Sequence, residues 1–481
     1  MISVDEYLKG SKVTPKHIKD KTTLDGRKLP KRFLFVKLKK YVRNFWQRDT
    51  LEPRLIGISG LRGVGKTSLL WQIADYAYNS SWRPDIYYIS MDHATLLGLE
   101  AKELFNGLLS IINPQKKTIL LLDEIHFLEK WDLLVKLLYD NNNNLFIIVT
   151  GSSALSLHSS QDLASRWNLF TLFPLSFPEF VMIRSWFKTQ KTLFPEKSLG
   201  TKIFKALFEA SSAQDVFKKL KKLQPTITNY LKRCKNNSIF LKSSNLIDQY
   251  IKYHNIPRFI TIDDKTDILD RSRDLIDRFI HEDLAKLENI STATVSLIRR
   301  VFVQIAFSGT ISETTISSTL GIKKADVHSA IETLKKAEFL LSPPLYRGLK
   351  SSSDLQRLFF TSPTFRYALA RDVMKPDRRK KVLEPLLLED IVAMYLYRNF
   401  RNNSILFVWG NNTAKTPSPD FIIDLTQNVI PIEISVNTKQ DVSQLNVKNK
   451  LYGIIISKKA STPFIRKNNN IVVPLSWFLL M

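Results

Sequence analysis

The segment Gly60–Thr67, Gly-Leu-Arg-Gly-Val-Gly-Lys-Thr, combines three glycines with a lysine and a hydroxyl side chain. The apolar run 54–59 before it predicts a buried strand, and residues 68–74 after it have the apolar spacing of a helix. Glycines let a backbone curl so that its N–H groups face a polyphosphate, and the positive end of the following helix adds to that anion site. This order of elements predicts a P-loop, with an ordinary glycine-rich turn as the alternative.

Two side chains of this loop carry the predicted chemistry. Lys66 is expected to reach the β- and γ-phosphates of ATP as a mobile charge, and the Thr67 hydroxyl is expected to ligate Mg²⁺. The predicted nucleotide-binding residues are Gly60, Gly63, Val64, Gly65, Lys66, Thr67 and Ser68.

A pair of adjacent carboxylates, Asp123 and Glu124, follows the apolar run 118–122. A strand that ends in two carboxylates, downstream of a P-loop, predicts a Walker B segment. We expect Asp123 to hold the hydrated Mg²⁺ and Glu124 to polarise the attacking water as general base. The alternative is that the pair caps the next helix, since carboxylates stabilise helix N-termini.

Four continuous apolar runs in the first third of the chain indicate a parallel sheet. They end at Ser59, Ser90, Leu122 and Thr150, and helical stretches separate them. Such runs are typical of strands that are buried on both faces. Residues 51–180 are therefore predicted to form a doubly wound α/β P-loop NTPase core, which binds its ligand at the carboxyl ends of the strands.

Polar residues after the fourth run could sense the γ-phosphate. Thr150, Ser152 and Ser153 lie there, although Gly and Ser also end strands as ordinary turn residues. Arg166 is a candidate for an arginine that reaches a phosphate within the chain or across a subunit interface, and an ordinary surface ion pair is the alternative. His126 could touch the phosphate region or lie on a helix surface.

The 481-residue chain carries a net charge of +26. This imbalance favours a polyanionic partner, most simply DNA, and a solvated basic surface is the alternative. The one cysteine, Cys234, excludes an internal disulfide framework and cysteine-rich metal sites. No apolar stretch approaches the ~18 residues that span a bilayer, so the sequence predicts a cytoplasmic protein without a membrane segment.

The order of these motifs resembles that of a known family, the prokaryotic AAA-type ATPases that carry a winged-helix segment and a restriction-endonuclease-like C-terminal domain. The segments that carry the resemblance are Gly60–Thr67, Leu122–His126, Thr150–Ser153, Leu163–Arg166 and Pro174–Phe180. The resemblance implies ATP and Mg²⁺ as cofactors and places the family's arginine at Arg166. In the family a glycine usually precedes this arginine, and here Ser165 takes that place. A homo-oligomer is compatible with an arginine of this kind.

The pattern of residues 292–346 predicts a helix-turn-helix with a wing beyond it. A short helix over 311–320 and a longer one over 323–341 flank the turn at Gly321. If this segment binds DNA, Lys323, Lys324 and His328 would lie at the start of the recognition helix. A protein-interaction or spacer module is the alternative.

A second α/β pattern occupies the C-terminal part of the chain, where three carboxylates are placed as in PD-(D/E)xK nucleases. In those enzymes carboxylates hold the metal that activates water. The candidate second metal site consists of Glu389, Asp420 and Glu433. The nuclease pattern requires a lysine where this chain has Ser435, although Lys415 or Lys439 could substitute. A nuclease-like fold retained as a structural or DNA-holding module is the favoured interpretation.

Together these features predict a Mg²⁺-dependent ATPase whose nucleotide state positions a DNA-binding half. The alternatives are a slow nucleotide-dependent switch or scaffold for a protein partner, and an ATP-gated metal-dependent nuclease. The predicted segments are a basic N-terminal extension (1–50), the ATPase core (51–180), a basic helical lid (181–290), a winged helix (291–365) and a restriction-endonuclease-like domain (366–481).

Overall fold

The computed structural model describes residues 3–47, 53–151, 163, 166–236, 245–284, 292–344, 346, 355–371, 373–400, 406–408, 418–436 and 442–481. The chain divides into two compact units. The first unit contains Met1–Phe173, Arg278–Val295 and Lys336–Glu338, and the second contains Pro174–Asp277, Ser296–Lys335 and Phe339–Met481. The predicted division into five segments remains a proposal.

The first unit begins with a basic extension that packs on the α/β core. Its elements are α1 (Val4–Gly10), α2 (Pro15–Thr22), β1 (Thr23–Leu24), β2 (Arg27–Lys28) and α3 (Leu34–Gln47). Ser3 and Thr14 cap the first two helices, because each side chain accepts a hydrogen bond from a backbone N–H in the first turn. The buried face of α3 carries Phe35, Leu38, Val42 and Phe45, as its apolar spacing predicts.

A five-stranded sheet forms the centre of the first unit. Its elements are β3 (Leu55–Ser59), α4 (Lys66–Tyr78), β4 (Asp85–Ser90), α5 (Met91–Leu96), α6 (Ala101–Ile111), β5 (Thr118–Asp123), α7 (Trp131–Asn141), β6 (Leu145–Gly151) and β7 (Asn168–Thr171). The strand order is β4-β5-β6-β3-β7 and every pairing is parallel. The predicted parallel α/β sheet is thus confirmed. The strand β7 was not predicted, because its residues are only half-buried and lack an apolar run.

The three central strands position the site. Every residue of β3, β5 and β6 is buried, which explains their continuous apolar sequences. Because β6 lies between β3 and β5, the carboxyl ends of all three strands meet at the loop that follows β3. Residues from three distant parts of the sequence are brought together at this edge.

The second unit opens with helices. They are α8 (Phe177–Thr189), α9 (Leu199–Phe208), α10 (Ala213–Asn236), α11 (Leu246–Gln249) and α12 (Lys265–Arg278), whose last residue belongs to the first unit. A capping box starts α8, since the side chains of Ser176 and Glu179 each satisfy a backbone N–H at its first turn. The helical pattern predicted after residue 180 is therefore present.

Three helices and two short antiparallel strand pairs follow. The elements are α13 (Thr292–Ala306), β8 (Thr310–Ser312), α14 (Glu313–Leu320), α15 (Lys324–Lys336), β9 (Leu340–Leu341), β10 (Leu355–Arg357) and β11 (Phe359–Phe360). Strand β8 pairs with β10, and β9 pairs with β11. The prediction of one helix over 323–341 is wrong at its end. Glu338 has φ 62° and turns the chain after α15, so that Leu340 and Leu341 pair with β11 instead.

The C-terminal elements form a six-stranded sheet with helices. They are α16 (Pro363–Ala370), α17 (Pro376–Arg378), α18 (Glu384–Phe400), β12 (Leu406–Val408), β13 (Phe421–Asp424), β14 (Val429–Ser435), β15 (Gly453–Ser457), β16 (Phe464–Arg466), β17 (Asn470–Pro474) and α19 (Leu475–Phe478). The strand order is β12-β13-β14-β15-β17-β16. The pairs β14–β15 and β15–β17 are parallel and the others antiparallel.

The remaining helical segments are single turns. The 3₁₀ turns are Ile125–Phe127, Pro257–Phe259 and Ser443–Leu445, and the π-helical turns are Tyr250–His254, Phe279–Leu284 and Arg379–Leu383. Within the described ranges, no helix combines the length and the apolar character needed to cross a membrane.

Candidate nucleotide-binding site

The loop between β3 and α4 requires glycine at two positions for different reasons. At Gly60, which has φ +150°, a Cβ would lie 2.5 Å from the backbone oxygen of Leu172. Gly65 has φ +95°, in the left-handed region, and is the N-cap of α4. A Cβ at Gly65 would meet no atom within 4 Å, so this side of the loop is open. The backbone thus has the curled shape that the sequence predicted, with Gly63 also at positive φ.

Arg32 braces this loop from the N-terminal extension. Its Nη1 donates to the backbone oxygen of Val64 over 2.6 Å, and its Nη2 donates to that of Phe173 over 2.8 Å. The arginine is 5% exposed, so these hydrogen bonds are shielded from water. Arg32 lies within the predicted basic extension, but its role was not predicted, because no local pattern distinguishes one buried arginine in a basic segment.

Lys66 is buried and folded back on the loop. Its Nζ donates to the backbone oxygen of Gly60 over 3.0 Å and lies 3.7 Å from Oε1 of Glu124. A lysine ammonium on a flexible stem can exchange such contacts for phosphate oxygens. Lys66 and Glu124, predicted from separate motifs, therefore face the same space.

Asp123, at the end of β5, accepts hydrogen bonds from two neighbouring strands and a helix. Its Oδ2 accepts from the Thr67 hydroxyl over 2.7 Å and from the Tyr88 hydroxyl over 2.8 Å. Its Oδ1 accepts from the Thr150 hydroxyl, whose oxygen also accepts from the backbone N–H of Glu124 over 3.0 Å. The two predicted metal ligands, Thr67 and Asp123, are in direct contact. Tyr88 is an additional partner that its position inside an apolar strand concealed.

The electrostatic state of Asp123 follows from its surroundings. Burial raises the pKa of this carboxyl above its ordinary value, and the adjacent charge of Glu124 acts in the same direction. The hydrogen bonds from Thr150, Thr67 and Tyr88 oppose that rise in pKa. A carboxylate in this position is strongly stabilised by a nearby cation.

Glu124 occupies a left-handed backbone conformation, with φ 51° and ψ 50°, which is rare for a residue with a side chain. This conformation ends β5 and starts the 3₁₀ turn that carries His126. Nδ1 of His126 lies 3.4 Å from Oε2 of Glu124. Burial and the charges of Lys66 and Arg62 lower the pKa of His126 to about 3, so the imidazole is neutral at neutral pH. His126 is thus beside the predicted general base and not on a helix surface.

Other predicted residues lie elsewhere. The guanidinium of Arg166 pairs with Asp140, with Nε 3.0 Å from Oδ1, and both side chains are substantially exposed. An ordinary surface ion pair was the alternative considered for Arg166. A contact of Arg166 with a phosphate across a subunit interface stays a prediction. Ser152 and Ser153 lie outside the described residues, as do Lys415 and Lys439.

The candidate second metal site holds an arginine. Nη2 of Arg357 lies 2.6 Å from Oε2 of Glu389 and 2.9 Å from Oδ1 of Asp420. Glu433 is buried on the neighbouring strand β14. Among the described residues, no group of three or more His, Cys, Asp or Glu side chains is arranged to hold a metal ion. The geometry of this cluster does not fit the predicted metal.

The comparisons with known proteins agree with the geometry of the first unit. Residues 52–181 match the family model AAA_14, described as an AAA domain. This segment is therefore similar to AAA domains. It contains the P-loop, Asp123 and Glu124, and it ends near the predicted boundary of the core at residue 180.

The chain is also similar to two relatives and one solved structure. The uncharacterized protein MJ1637 of Methanocaldococcus jannaschii is 28% identical over 463 residues, which covers 94% of this chain and 89% of that protein. The uncharacterized protein MJ1544 of the same organism is 36% identical over 130 residues, 27% of this chain and 28% of that protein. The structure of the Aeropyrum pernix ORC2 protein in ADPNP and ADP complexes covers 77% of this chain and 98% of that chain, with 13% identity and a TM-score of 0.35.

Proposed function

We propose that residues 52–181 are an AAA domain that binds ATP with Mg²⁺ and hydrolyses its β–γ bond. The observation that carries the proposal is the contact between Thr67 and Asp123 at the edge where Lys66 faces Glu124. A hydroxyl, a carboxylate, an ammonium and a second carboxylate are the groups that a P-loop hydrolase uses for metal, phosphate and water. They come from two motifs 56 residues apart in the chain.

The residues at this edge fit Mg²⁺. The ion prefers hard oxygen ligands and binds through few protein groups, and the Thr67 hydroxyl and Asp123 carboxylate are such a set. The raised pKa of Asp123 reflects a buried negative charge that a divalent ion would neutralise. Thr67 and Asp123 would hold the ion, which would supply positive charge to offset the negative charge that develops during cleavage.

The other side chains at this edge of the sheet have defined roles in the proposed reaction. Lys66 exchanges its contact with the Gly60 oxygen for the phosphates and stabilises their charge. Glu124 orients the attacking water as general base. The Thr150 hydroxyl fixes the positions of the Asp123 carboxylate and the Glu124 backbone through hydrogen bonds. The neutral imidazole of His126 lies beside the Glu124 carboxylate and adds no positive charge there.

Arg166 would act on a neighbouring subunit. Its side chain is on the surface and its partner Asp140 is exposed, so the pair exchanges readily with solvent. In a homo-oligomer it could leave Asp140 for the phosphates of the adjacent protomer. Loss of turnover without loss of ATP affinity in Arg166→Ala would support this role, and unchanged turnover would remove it.

We further propose that the second unit contacts DNA through the basic face of α10. Six of its lysines and arginines are exposed, and Asp215 is the helix's one acidic residue. The exposed basic residues are Lys218, Lys221, Lys222, Lys232, Arg233 and Lys235. A row of cations on a helix matches the spacing of backbone phosphates without reading sequence. At the start of α15, Lys323 and Lys324 are exposed, whereas the His328 ring is hydrogen-bonded to Glu313 over 2.9 Å.

Steady-state ATP hydrolysis tests the first proposal. We expect Glu124→Gln to lower turnover by a factor on the order of 10²–10⁴ while leaving the ATP dissociation constant nearly unchanged, because the neutral amide keeps the shape but cannot act as base. Glu129→Gln is the matched control, since Glu129 is exposed five residues later. Equal turnover by wild type and Glu124→Gln would remove Glu124 from this role.

The salt dependence of DNA affinity tests the second proposal. Log affinity should fall linearly with log salt, and its slope should decrease by about 0.9 for each phosphate that the protein no longer neutralises. Replacing Lys218, Lys221 and Lys222 with alanine should reduce the slope. A control that removes Lys9, Lys16 and Lys19, exposed on α1 and α2, changes the net charge equally and should leave the slope unchanged. The absence of any salt dependence would instead favour a switch with a protein partner.

A further inference from the structure

One nitrogen of Arg357 bridges the two carboxylates that were expected to share a metal. Nη2 donates to Oε2 of Glu389 over 2.6 Å and to Oδ1 of Asp420 over 2.9 Å. The three side chains are 8%, 16% and 12% exposed, respectively, so water screens their interaction only weakly. Arg357 is the last residue of β10, far in sequence from both partners. The acidic cluster therefore already contains a cation that the chain supplies.

The surroundings hold this arrangement in place. The other oxygen of Asp420, Oδ2, accepts the backbone N–H of Ile434 on β14 over 2.8 Å, so both carboxylate oxygens are occupied. The ring of Phe359, next to β10, packs on that of Phe421 with centroids 5.0 Å apart. The hydrogen bond fixes Asp420 against β14, and the ring contact packs the segment that follows Arg357 against β13. The arginine is thus seated by packing as well as by charge.

Gly309 lies close to the side chains of Leu386 and Glu389. A Cβ at this glycine would lie 2.9 Å from Cδ2 of Leu386 and 3.6 Å from Oε2 of Glu389. The close contact would be with Leu386, whereas 3.6 Å from the Glu389 carboxylate is an ordinary van der Waals distance. Glycine at this position precedes β8, the strand that pairs with β10.

The negative charges of Glu389 and Asp420 stabilise the ionised form of Arg357. Burial works against the charged guanidinium, but Glu389 and Asp420 outweigh it and raise the pKa of Arg357. Burial raises the pKa of the Glu389 carboxyl, and the charge of Arg357 opposes that rise. A second, divalent cation beside the guanidinium would be repelled by it.

We propose that Arg357 is the resident cation of this acidic cluster, in place of a metal ion, and that it fixes strand β10 to the C-terminal α/β sheet. The cluster of Glu389, Asp420 and Glu433 then holds no catalytic divalent ion and does not cleave DNA. This inference does not depend on ATP binding or hydrolysis by the AAA domain.

Hydrogen–deuterium exchange on the full chain tests the fixing role. Arg357→Met keeps the bulk of the side chain but leaves two buried carboxylates without their cation. We expect amides of residues 355–360 to exchange faster by a factor on the order of a hundredfold. Arg357→Lys should retain most of the protection, because one ammonium can replace the single bridging nitrogen. The control Arg299→Met breaks an exposed pair with Asp277 and should leave this segment unchanged. Equal protection in wild type and Arg357→Met would overturn the fixing role.

Metal uptake and DNA cleavage test the exclusion of a metal. Mn²⁺ binding is measured by electron paramagnetic resonance on nucleotide-free wild type and on Asp420→Asn, and both are incubated with supercoiled plasmid and Mg²⁺ or Mn²⁺. We expect the same Mn²⁺ stoichiometry for both proteins and intact plasmid throughout. A Mn²⁺ site or a nicking activity that is present in wild type and absent in Asp420→Asn would overturn the proposal. Thr67→Ala provides the control for any ion held at the P-loop.

Discussion

The hydroxyl of Thr67 donates to Oδ2 of Asp123 over 2.7 Å, which joins the first turn of α4 to the end of β5. This hydrogen bond connects two motifs that the parallel sheet brings to the same edge. The same Asp123 oxygen accepts from Tyr88, and the other accepts from Thr150, so the carboxylate is held in one orientation. An ion at this edge would find its protein oxygens already in place, which reduces the entropy lost when it binds.

The hydroxyl of Thr67 should matter only when metal is present. We expect Thr67→Ala to weaken Mg²⁺-dependent ATP binding by at least about tenfold, because one of the metal's protein ligands is removed. Binding in EDTA should change little. Thr67→Ser is the control that keeps the hydroxyl and should behave like wild type. Titration calorimetry with and without Mg²⁺ measures both effects, and an equal loss under both conditions would contradict the role.

The brace from Arg32 should support the nucleotide loop. Arg32→Met removes two buried hydrogen bonds from a charged donor and leaves the oxygens of Val64 and Phe173 without it. We expect the free energy of unfolding of the first unit to fall by about 2–3 kcal/mol, and ATP affinity to fall with it. Denaturant unfolding and nucleotide titration give the two values. Lys40→Met, an exposed change on α3, should alter neither, and a stable Arg32→Met protein with normal affinity would refute the brace.

Glycine should be required at Gly60 for space as well as for backbone conformation. In Gly60→Ala the new Cβ would lie 2.5 Å from the backbone oxygen of Leu172, which cannot yield as a flexible side chain can. Gly98→Ala is the matched control, because Gly98 also has positive φ (+74°) but nothing within 4 Å. We expect the control to lose about 1 kcal/mol of stability from backbone strain, and Gly60→Ala to lose about 3 kcal/mol or more. Thermal unfolding midpoints measure the difference, and equal losses would show that the contact with Leu172 is unimportant.

Two buried histidines should make the protein sensitive to acid. Burial lowers the pKa of His126 to about 3 and that of His254 to about 4, from an ordinary value of 6.5. Between these values and 6.5 the unfolded chain binds protons that the folded chain does not, so the free energy of unfolding should fall as the pH falls through this window. The slope is at most about 1.4 kcal/mol per pH unit for each histidine.

Denaturant unfolding between pH 4 and 7 measures this slope. His126→Gln should reduce it for the first unit, and His254→Gln should reduce it for the second. His328→Gln is the control, because this ring is exposed on α15 and has no such burial. Identical slopes in wild type and both buried variants would contradict the assignment.

The limits of sequence analysis follow from particular residues. Strands β3, β5 and β6 are buried on both faces. Their continuous apolar sequences therefore predicted both the strands and the residues at which they end. Strand β7 was not predicted, because its half-buried residues show no periodicity. Helix α15 was predicted too long, because Leu340 and Leu341 pair with β11 although their spacing is helical. Local patterns identify elements with strong burial and miss those whose shape depends on a distant partner.

The sequence alone was sufficient to predict the P-loop, the Asp123–Glu124 pair and the parallel α/β sheet, because each depends on residue types at fixed local spacing. The tertiary structure decided how charged residues are used. Arg32 supports the nucleotide loop, Arg166 pairs with Asp140 on the surface, and Arg357 occupies the acidic cluster predicted to hold a metal. The physical reason is that the free energy of a charge depends on its burial and on its partners, and the chain brings those partners together only by folding.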